Sequence, residues 1–457
     1  MKSKLFFLLS FILACFCKSQ VVNIPDANFK SYLVNNSAIN TNADSEIQVS
    51  EANSYTGSIN CNNQNISDLT GIEAFTNITS INAAYNKLTS LNVSNNTFLL
   101  GLYCFGNQIT TLNVSNNTAL QYLLCFNNQI ASLDISNNLA LNTLSCFSNQ
   151  LTSLDVTKNT ALVSLNCLSN QISSLDVSKN TLLQNLSCAN NLLTSLDVTN
   201  NTALVGLSCY ENQITSLDVT KNLSLQTLDC YFNKIPSLDV SKNTALTYLH
   251  CGRNLISSLD ITNNLLLQDF SGVANAISYL DVSKNTALQS FDCRGCTFTS
   301  LDLSKNTALT FLWSYACSAL ANLNLKNGNN SNLTTMYAFS DSKLKCIDVD
   351  DVSLADSYVT ATNWQKDYTT TFSTNCSTLS VSNEDKVSLK TYPNPTNNWV
   401  NFTMKANAKV YNFLGQKILE EKEVSSVDLS NFSNGIYLIV LFDKNGKEIS
   451  RSKVIKK

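Results

Sequence analysis

From Leu91 to Leu301 the apolar positions of this chain recur at one spacing. The leucine of Ser-Leu-Asp-Val, or its close variants, stands at Leu91, Leu112, Leu133, Leu154, Leu175, Leu196, Leu217, Leu238, Leu259, Leu280 and Leu301, every step being 21 residues. Eight positions earlier runs a second column, Cys104, Cys125, Cys146, Cys167, Cys188, Cys209, Cys230 and Cys251, then Gly272 and Cys293. A third, three further on, is asparagine from Asn86 to Asn275, then Cys296 and Cys317. The unit reads LxxLxCxxNxLxSLDVSxNTA. Leu-x-Cys and Leu-Asp-Val each alternate in and out, so each turn is predicted to carry two short strands stacking on the next turn at about 4.8 Å. No turn has a core of its own, and stacking supplies it. With Cys61, Ala83 and irregular turns near Ser314 and Ala338, fourteen turns are expected, a solenoid about 65 Å long.

This unit resembles the leucine-rich repeat, with cysteine in its third leucine position, and in particular the bacterial 21-residue variety. The resemblance covers residues 59–343. A solenoid must close its two ends, and residues 21–58 read as an amino-terminal cap with a helical pattern from Asp26 to Val34. Residues 344–383 read as the carboxy-terminal cap and linker. Stacked parallel strands hold their Cβ atoms too far apart, and too nearly parallel, for disulfides, so the ladder cysteines are expected as buried free thiols. Cys293-Arg-Gly-Cys296 falls on ladder columns and is read as structure, not as a redox motif. Cys346 and Cys376 lie outside the repeat and are the disulfide candidates.

After residue 383 the pattern changes to alternating strands punctuated by Pro393, Pro395, Gly415, Gly435 and Gly446, predicting a separate small all-β sandwich over 384–457. Tyr392-Pro-Asn-Pro395, Val410-Tyr-Asn-Phe-Leu-Gly-Gln-Lys417, Val427-Asp-Leu429, Gly435-Ile-Tyr-Leu438 and the basic ending Lys453-Val-Ile-Lys-Lys457 together resemble the type IX secretion carboxy-terminal sorting domain. That resemblance implies handling by the type IX secretion machinery and a product secreted from, or attached to the outer surface of, a Gram-negative bacterium. The other end agrees: Lys2 and Lys4 precede an apolar run from Leu5 to Phe16, too short to span a bilayer, so residues 1–20 read as a signal peptide. Ile12-Leu-Ala-Cys15 has the outline of a lipobox, which Leu13 suits poorly. No later run reaches transmembrane length, so no transmembrane segment is expected in the mature chain.

Composition narrows the chemistry. Charged residues make up 14 % of the 457, with 30 basic against 33 acidic, so no nucleic-acid footprint is expected. Asparagine fills 64 positions and glycine 12, a chain that relies on side-chain amides to satisfy its loops. The single histidine, His250, excludes any site needing two imidazoles. It is placed outward, within reach of Asp229 or Asp269 in neighbouring turns. There is no phosphate loop and no nucleophile elbow, so the chain is read as a non-enzyme, a hydrolase being the remote alternative.

Binding is therefore sought on the exposed sheet face. Just after each inward cysteine comes an outward residue, giving Phe105, Phe126, Phe147, Leu168, Ala189, Tyr210 and Tyr231, with Tyr103 beside them. This apolar stripe is the candidate site for a protein or glycan ligand; the alternative is an aromatic ladder whose rings cover one another, in a structural surface-layer or adhesin-like protein with no specific ligand site. A second outward column, Asp134 to Asp302, is read as turn-capping carboxylates screened by lysines three residues on. In the amino-terminal cap, Asn40, Asn42, Asp44, Glu46 and Glu51 take positions 1, 3, 5, 7 and 12 of a calcium loop, with Asn40 and Ser45 as poor substitutes at positions 1 and 6. No cofactor is expected beyond that weak structural calcium candidate.

Overall fold

The computed structural model describes residues 20–361, 363–376, 391–413, 415–446 and 448–457. The signal-peptide and lipobox readings on residues 1–19 lie outside them. The chain forms two compact units that divide after Cys376.

In the first unit, strands of three or four residues, from Ser58–Asn60 to Trp364–Lys366, make one 15-stranded parallel sheet. Equivalent residues pair across turns, as in Leu102 to Leu123 to Leu144, because from Ser80 to Trp313 each partner lies 21 residues on. The alternation has its expected effect: Leu123, Cys125, Ile130, Leu133 and Ile135 of one turn are buried, as are their counterparts throughout. Each such leucine contributes about 2 kcal/mol of apolar burial. The sheet has one strand more than the fourteen turns expected, because the cap itself adds Trp364–Lys366 beside Thr335–Ala338.

The second strand of each turn differs from expectation. Among the described residues, apart from an isolated bridge between Asn92 and Asn113, a hydrogen-bonded second sheet forms only at the carboxy-terminal end of the solenoid, from Ser300–Asp302, Asn322–Asn324, Cys346–Asp348 and Thr371–Ser373. In the 21-residue turns Leu and Val of Leu-Asp-Val still face the core, but the aspartate pulls the backbone into a turn. Asp155 Oδ1 accepts the N–H of Thr157 at 2.9 Å and its hydroxyl at 2.6 Å. The hydroxyl and the N–H hold that exposed carboxyl below its ordinary range. Asp134 to Asp302 repeat this cap, and the column is therefore built of turn-closing carboxylates.

Two asparagine ladders close the remaining backbone. Asn128 Nδ2 donates to the carbonyls of Cys104 and Cys125, each at 3.0 Å, while its Oδ1 accepts the N–H of Ile109. The second ladder belongs to Asn-Thr-Ala: Asn180 Nδ2 donates to the carbonyls of Val156 at 3.0 Å and Asn159 at 2.8 Å. Beside these clamps sits a left-handed residue, glycine at Gly106 and Gly295 but a residue with a side chain in most turns. Asn127, Ser148, Glu211, Phe232 and Arg253 all sit at φ between 50° and 54°, a conformation that costs a non-glycine residue about 1 kcal/mol or more.

Among the described residues twelve cysteines are free, all buried. Burial pushes the thiols of Cys125, Cys167 and Cys251 up to about 12. We expect the native protein to leave all twelve unmodified by a thiol-exchange reagent at pH 8, and all twelve to react in denaturant. Rapid reaction of the native chain would contradict a closed ladder.

Where the cysteine and asparagine columns break, the substitutes show the same logic. Cys296 and Cys317 take asparagine-ladder positions and donate Sγ–H to the carbonyls of Gly272 and Cys293. Asp341 takes the next position and can only accept, from the N–H of Cys317 at 2.7 Å. Its other oxygen finds no side-chain or backbone donor, and burial, with Asp367 nearby, pushes its carboxyl up to about 7. A carboxyl that holds its proton more tightly in the folded state than in the unfolded chain costs stability as the pH rises from about 4 to about 7. Asp341→Asn should therefore raise the melting temperature at pH 8 and leave it nearly unchanged at pH 4. Equal shifts at both pH values would rule out this account.

The caps follow their sequence signals. The helix Ala27–Val34 begins on Asp26, whose carboxylate accepts the N–H groups of Asn28 and Phe29, and it buries Phe29 and Leu33 against the first turn. At the other end the helix Val352–Thr360 starts on Asp351. Cys346 and Cys376 form the expected disulfide, and Trp364 is buried with its indole N–H donating to the Leu333 carbonyl at 2.8 Å.

The strands of the second unit pair antiparallel, with one isolated parallel bridge between Thr396 and Lys456. Thr391–Tyr392, Trp399–Tyr411, Lys417–Asp428, Gly435–Phe442 and Glu448–Lys456 form one five-stranded sheet, not the two separate sheets of a sandwich. Register shifts between Asn401 and Ala408 on the long second strand interrupt its pairing with Lys417–Asp428. Bulges of this kind bend a strand, and the sheet surrounds its own core of Val400, Phe402, Val410, Ile439, Leu441 and Val454.

Candidate functional site

On a parallel strand of three residues the middle one faces the core and its neighbours face out. The exposed face of the 15-stranded sheet is therefore set by the first and third residues of each strand. Between Ser164 and Thr227 these are small: Ser164, Asn166, Asn185, Ser187, Gly206 and Ser208 line a shallow depression of about 470 Å3.

The expected aromatic column is present but not continuous. Phe105, Phe126 and Phe147 stack, with ring centroids 4.3 Å apart and planes within 10°. Tyr85 meets Phe105 edge-on at 5.1 Å, and the half-buried Leu168 continues the row. Ala189 is fully buried and interrupts it. Tyr210 and Tyr231 then form a second group, where Tyr231 tilts against Phe232 and the Arg253 guanidinium lies within 6 Å of both rings. Tyr103 is half-exposed on its strand, and its ring occupies the space a side chain at Gly101 would need. Phe126 thus spends both faces on its neighbours, and Phe105 and Phe147 one face each on Phe126, as in a covering ladder.

The structure also gathers a cluster that column reading did not find. Tyr248 OH lies 2.6 Å from His250 Nδ1, and His250 Nε2 lies 3.0 Å from Asp269 Oδ1. Of the two partners open to His250 in sequence, Asp269 is the one that bonds. Asp229 stands beside it in the sheet; burial pushes its carboxyl up against the N–H of Tyr231. Burial, then the two carboxylates, push the Tyr248 phenol up as well. Two turns on, Arg294 bonds Asp292 through Nε at 2.8 Å and through a terminal nitrogen at 2.6 Å, and donates to Tyr315 OH at 3.0 Å. Its guanidinium covers Trp313 and Tyr315 at about 5.5 Å. Phe311 is 41 % exposed beside Trp313, and Tyr315 stacks on Phe339 at 4.7 Å. Phe311-Leu-Trp-Ser-Tyr315 and Met336-Tyr-Ala-Phe339 fall where the cysteine and asparagine columns fail, so a reading by columns passed over them. Their aromatic density was the available signal.

The calcium candidates are used otherwise. Glu51 accepts from the N–H groups of Thr41, Asn42 and Gln48 and from the Thr41 hydroxyl; burial alone would raise its carboxyl, yet these donors hold it below the ordinary range. Asp44 accepts from the amides of Asn42 and Gln48 and the N–H of Glu46. Glu46 pairs with Lys30 at 2.6 Å, and Asn40 turns its amide nitrogen to the carbonyls of Val34 and Asp44. Protein donors thus hold Glu51 and Asp44, while Asn40 Oδ1 is buried with no donor among the described residues. Among the described residues no three His, Cys, Asp or Glu side chains gather in an arrangement that could hold a metal ion.

Comparison with known proteins agrees with both units. A family described as the secretion system C-terminal sorting domain matches residues 390–457. The functional domain of InlJ from Listeria monocytogenes, described as including a cysteine ladder, is 26 % identical, with a TM-score of 0.66, covering 96 % of this chain and 100 % of that one. An internalin, InlF, from the same organism is 22 % identical, with a TM-score of 0.57, covering 66 % and 97 %. Among curated proteins none matches. The fold and its tail define a leucine-rich-repeat protein built for export. The chain is a leucine-rich-repeat solenoid with a type IX secretion sorting domain, secreted or displayed at the cell surface. No helix among the described residues is long and apolar enough to cross a membrane.

Proposed function

We propose that this protein is a non-catalytic binding protein, working outside a Gram-negative cell, that holds a protein or glycan partner on the exposed face of its long sheet. The observation that carries this reading is the contrast along that face. Small polar side chains fill it over several turns, and then Tyr248, His250, Asp269, Asp292, Arg294, Phe311 and Trp313 converge within four adjacent strands. Aromatic and arginine side chains held by their neighbours are what binding hot spots are made of. The tyrosines Tyr210 and Tyr231 extend the same face, whereas Phe105, Phe126 and Phe147 support it by stacking.

The purified full chain should bind at least one member of an array of glycans and surface proteins. That binding should fall tenfold or more in Trp313→Ala or in the pair Tyr210→Ser and Tyr231→Ser, with the melting temperature little changed. If no member binds, or if both variants bind as the parent does, the reading falls and a structural surface role is favoured. Removal of residues 390–457 should leave the chain inside the cell envelope by fractionation.

A further inference from the structure

We propose that the depression between the strands Tyr248–His250 and Phe311–Trp313 is a carbohydrate site, taking a neutral oligosaccharide. This rests on the sheet face being the binding surface, and names what it binds. The depression has a volume of about 490 Å3, within the range of small-ligand sites and too shallow to swallow a protein anchor. Its lining combines two aromatic side chains, Phe311 and Trp313, with hydroxyls, amides, an imidazole and carboxylates, and contains no aliphatic side chain. A sugar presents an apolar C–H face for an aromatic ring and a rim of hydroxyls that both donate and accept. A protein hot spot would call instead for an apolar pocket around one inserted side chain.

The polar groups are positioned in advance. His250 is fixed between Tyr248 and Asp269, and Asp269 keeps its second oxygen clear of protein donors. The amides of Gln268 and Gln289 make no side-chain hydrogen bond among the described residues, while their carbonyls serve the sheet. Charge decides the sugar class. The one arginine beside the site spends its charge on Asp292, and the other full charge facing the depression, on Asp269, is negative. An acidic sugar would meet a carboxylate with no unpaired cation to offset it.

The test is affinity electrophoresis of the full chain through native gels containing laminarin, xylan, galactomannan or dextran, with alginate as the acidic control. At least one neutral polysaccharide should retard the chain and alginate should not. Trp313→Ala should weaken the retarding interaction tenfold or more. Asp269→Asn, which leaves the ring and the packing in place, should weaken it severalfold. Asp134→Asn, at a turn cap away from the depression, should leave it unchanged. Retardation by none of the four, by alginate alone, or to an equal degree in both site variants would overturn the proposal. If Trp313→Ala abolishes binding to a protein on the array while no polysaccharide retards the chain, the carbohydrate inference falls and the binding face stands. If Trp313→Ala changes neither, the site falls with it.

Discussion

Replacing Asn180 by aspartate should unfold the middle of the solenoid near neutral pH. The Asn180 side chain is completely buried, and its amide nitrogen is a second donor to the carbonyls of Val156 and Asn159. Each carbonyl keeps one backbone donor, the N–H of Asn159 for Val156 and of Leu162 for Asn159, so Asn180→Ala should lose two hydrogen bonds, about 2 kcal/mol. Aspartate is worse at the same volume, because it sets an acceptor against two acceptors and adds a charge with no counter-ion. The buried carboxyl would hold its proton well above the ordinary carboxylate range, so the variant should regain stability as the pH falls and lose it as the pH rises. Chemical denaturation at pH 4.5 and pH 7.5 measures both effects. A loss below about 1 kcal/mol at pH 7.5 would show that water reaches those carbonyls and that the ladder is not a dry column. Because each turn touches only its neighbours, the transition should also broaden or split as the turns on either side part company.

Breaking the disulfide should act at one end only. Cys346 and Cys376 are 30 residues apart, and closing a loop of that length restricts the unfolded chain by about 3.5 kcal/mol. The loop it closes contains the helix Val352–Thr360 and the last strand of the main sheet, Trp364–Lys366. Cys346→Ser with Cys376→Ser should therefore loosen the carboxy-terminal cap and expose Trp364, and through it the edge of the sheet. Limited proteolysis should cut first between residues 346 and 376. Reductant should reproduce the effect in the parent chain and do nothing further to the double variant, since the ladder thiols are already free. First cleavage at the amino-terminal cap would contradict this.

The repeat explains how much of the molecule could be read in advance. A 21-residue period brings identical residues side by side, so one rule about Leu123 and Cys125 holds for every turn. The same rule predicts that stacked cysteines face one way and stay reduced. The exposed aspartates were legible as turn caps for a local reason: their bonds reach only two residues along the chain. In the calcium-like loop spacing alone fits several outcomes: amides and N–H groups occupy Glu51 and Asp44, whereas Asn40 Oδ1 has no donor among the described residues. The second strand of each turn was overestimated, because alternation specifies burial and does not by itself ensure that a strand finds a ladder partner. In the last turns, where partners lie 22 to 25 residues apart, that second ladder does form.

The site was harder to read. The column from Phe105 to Tyr231 was visible as a column, yet whether its rings stack on each other or stay open depends on side-chain angles that no period records. The cluster from Tyr248 to Trp313 draws on different columns of four turns, and each residue looks incidental in its own. Sequence by itself determined the solenoid, its free thiols, its closing disulfide and its export tail, because these follow from periodicity, local turn chemistry and short contiguous motifs. Tertiary structure alone decided that His250 bonds Asp269, that Arg294 is spent on Asp292, and that Phe311 and Trp313 join them on one face. The bonds of His250 to Asp269 and of Arg294 to Tyr315 link residues 19 and 21 positions apart, and only stacking of the turns brings those partners within reach.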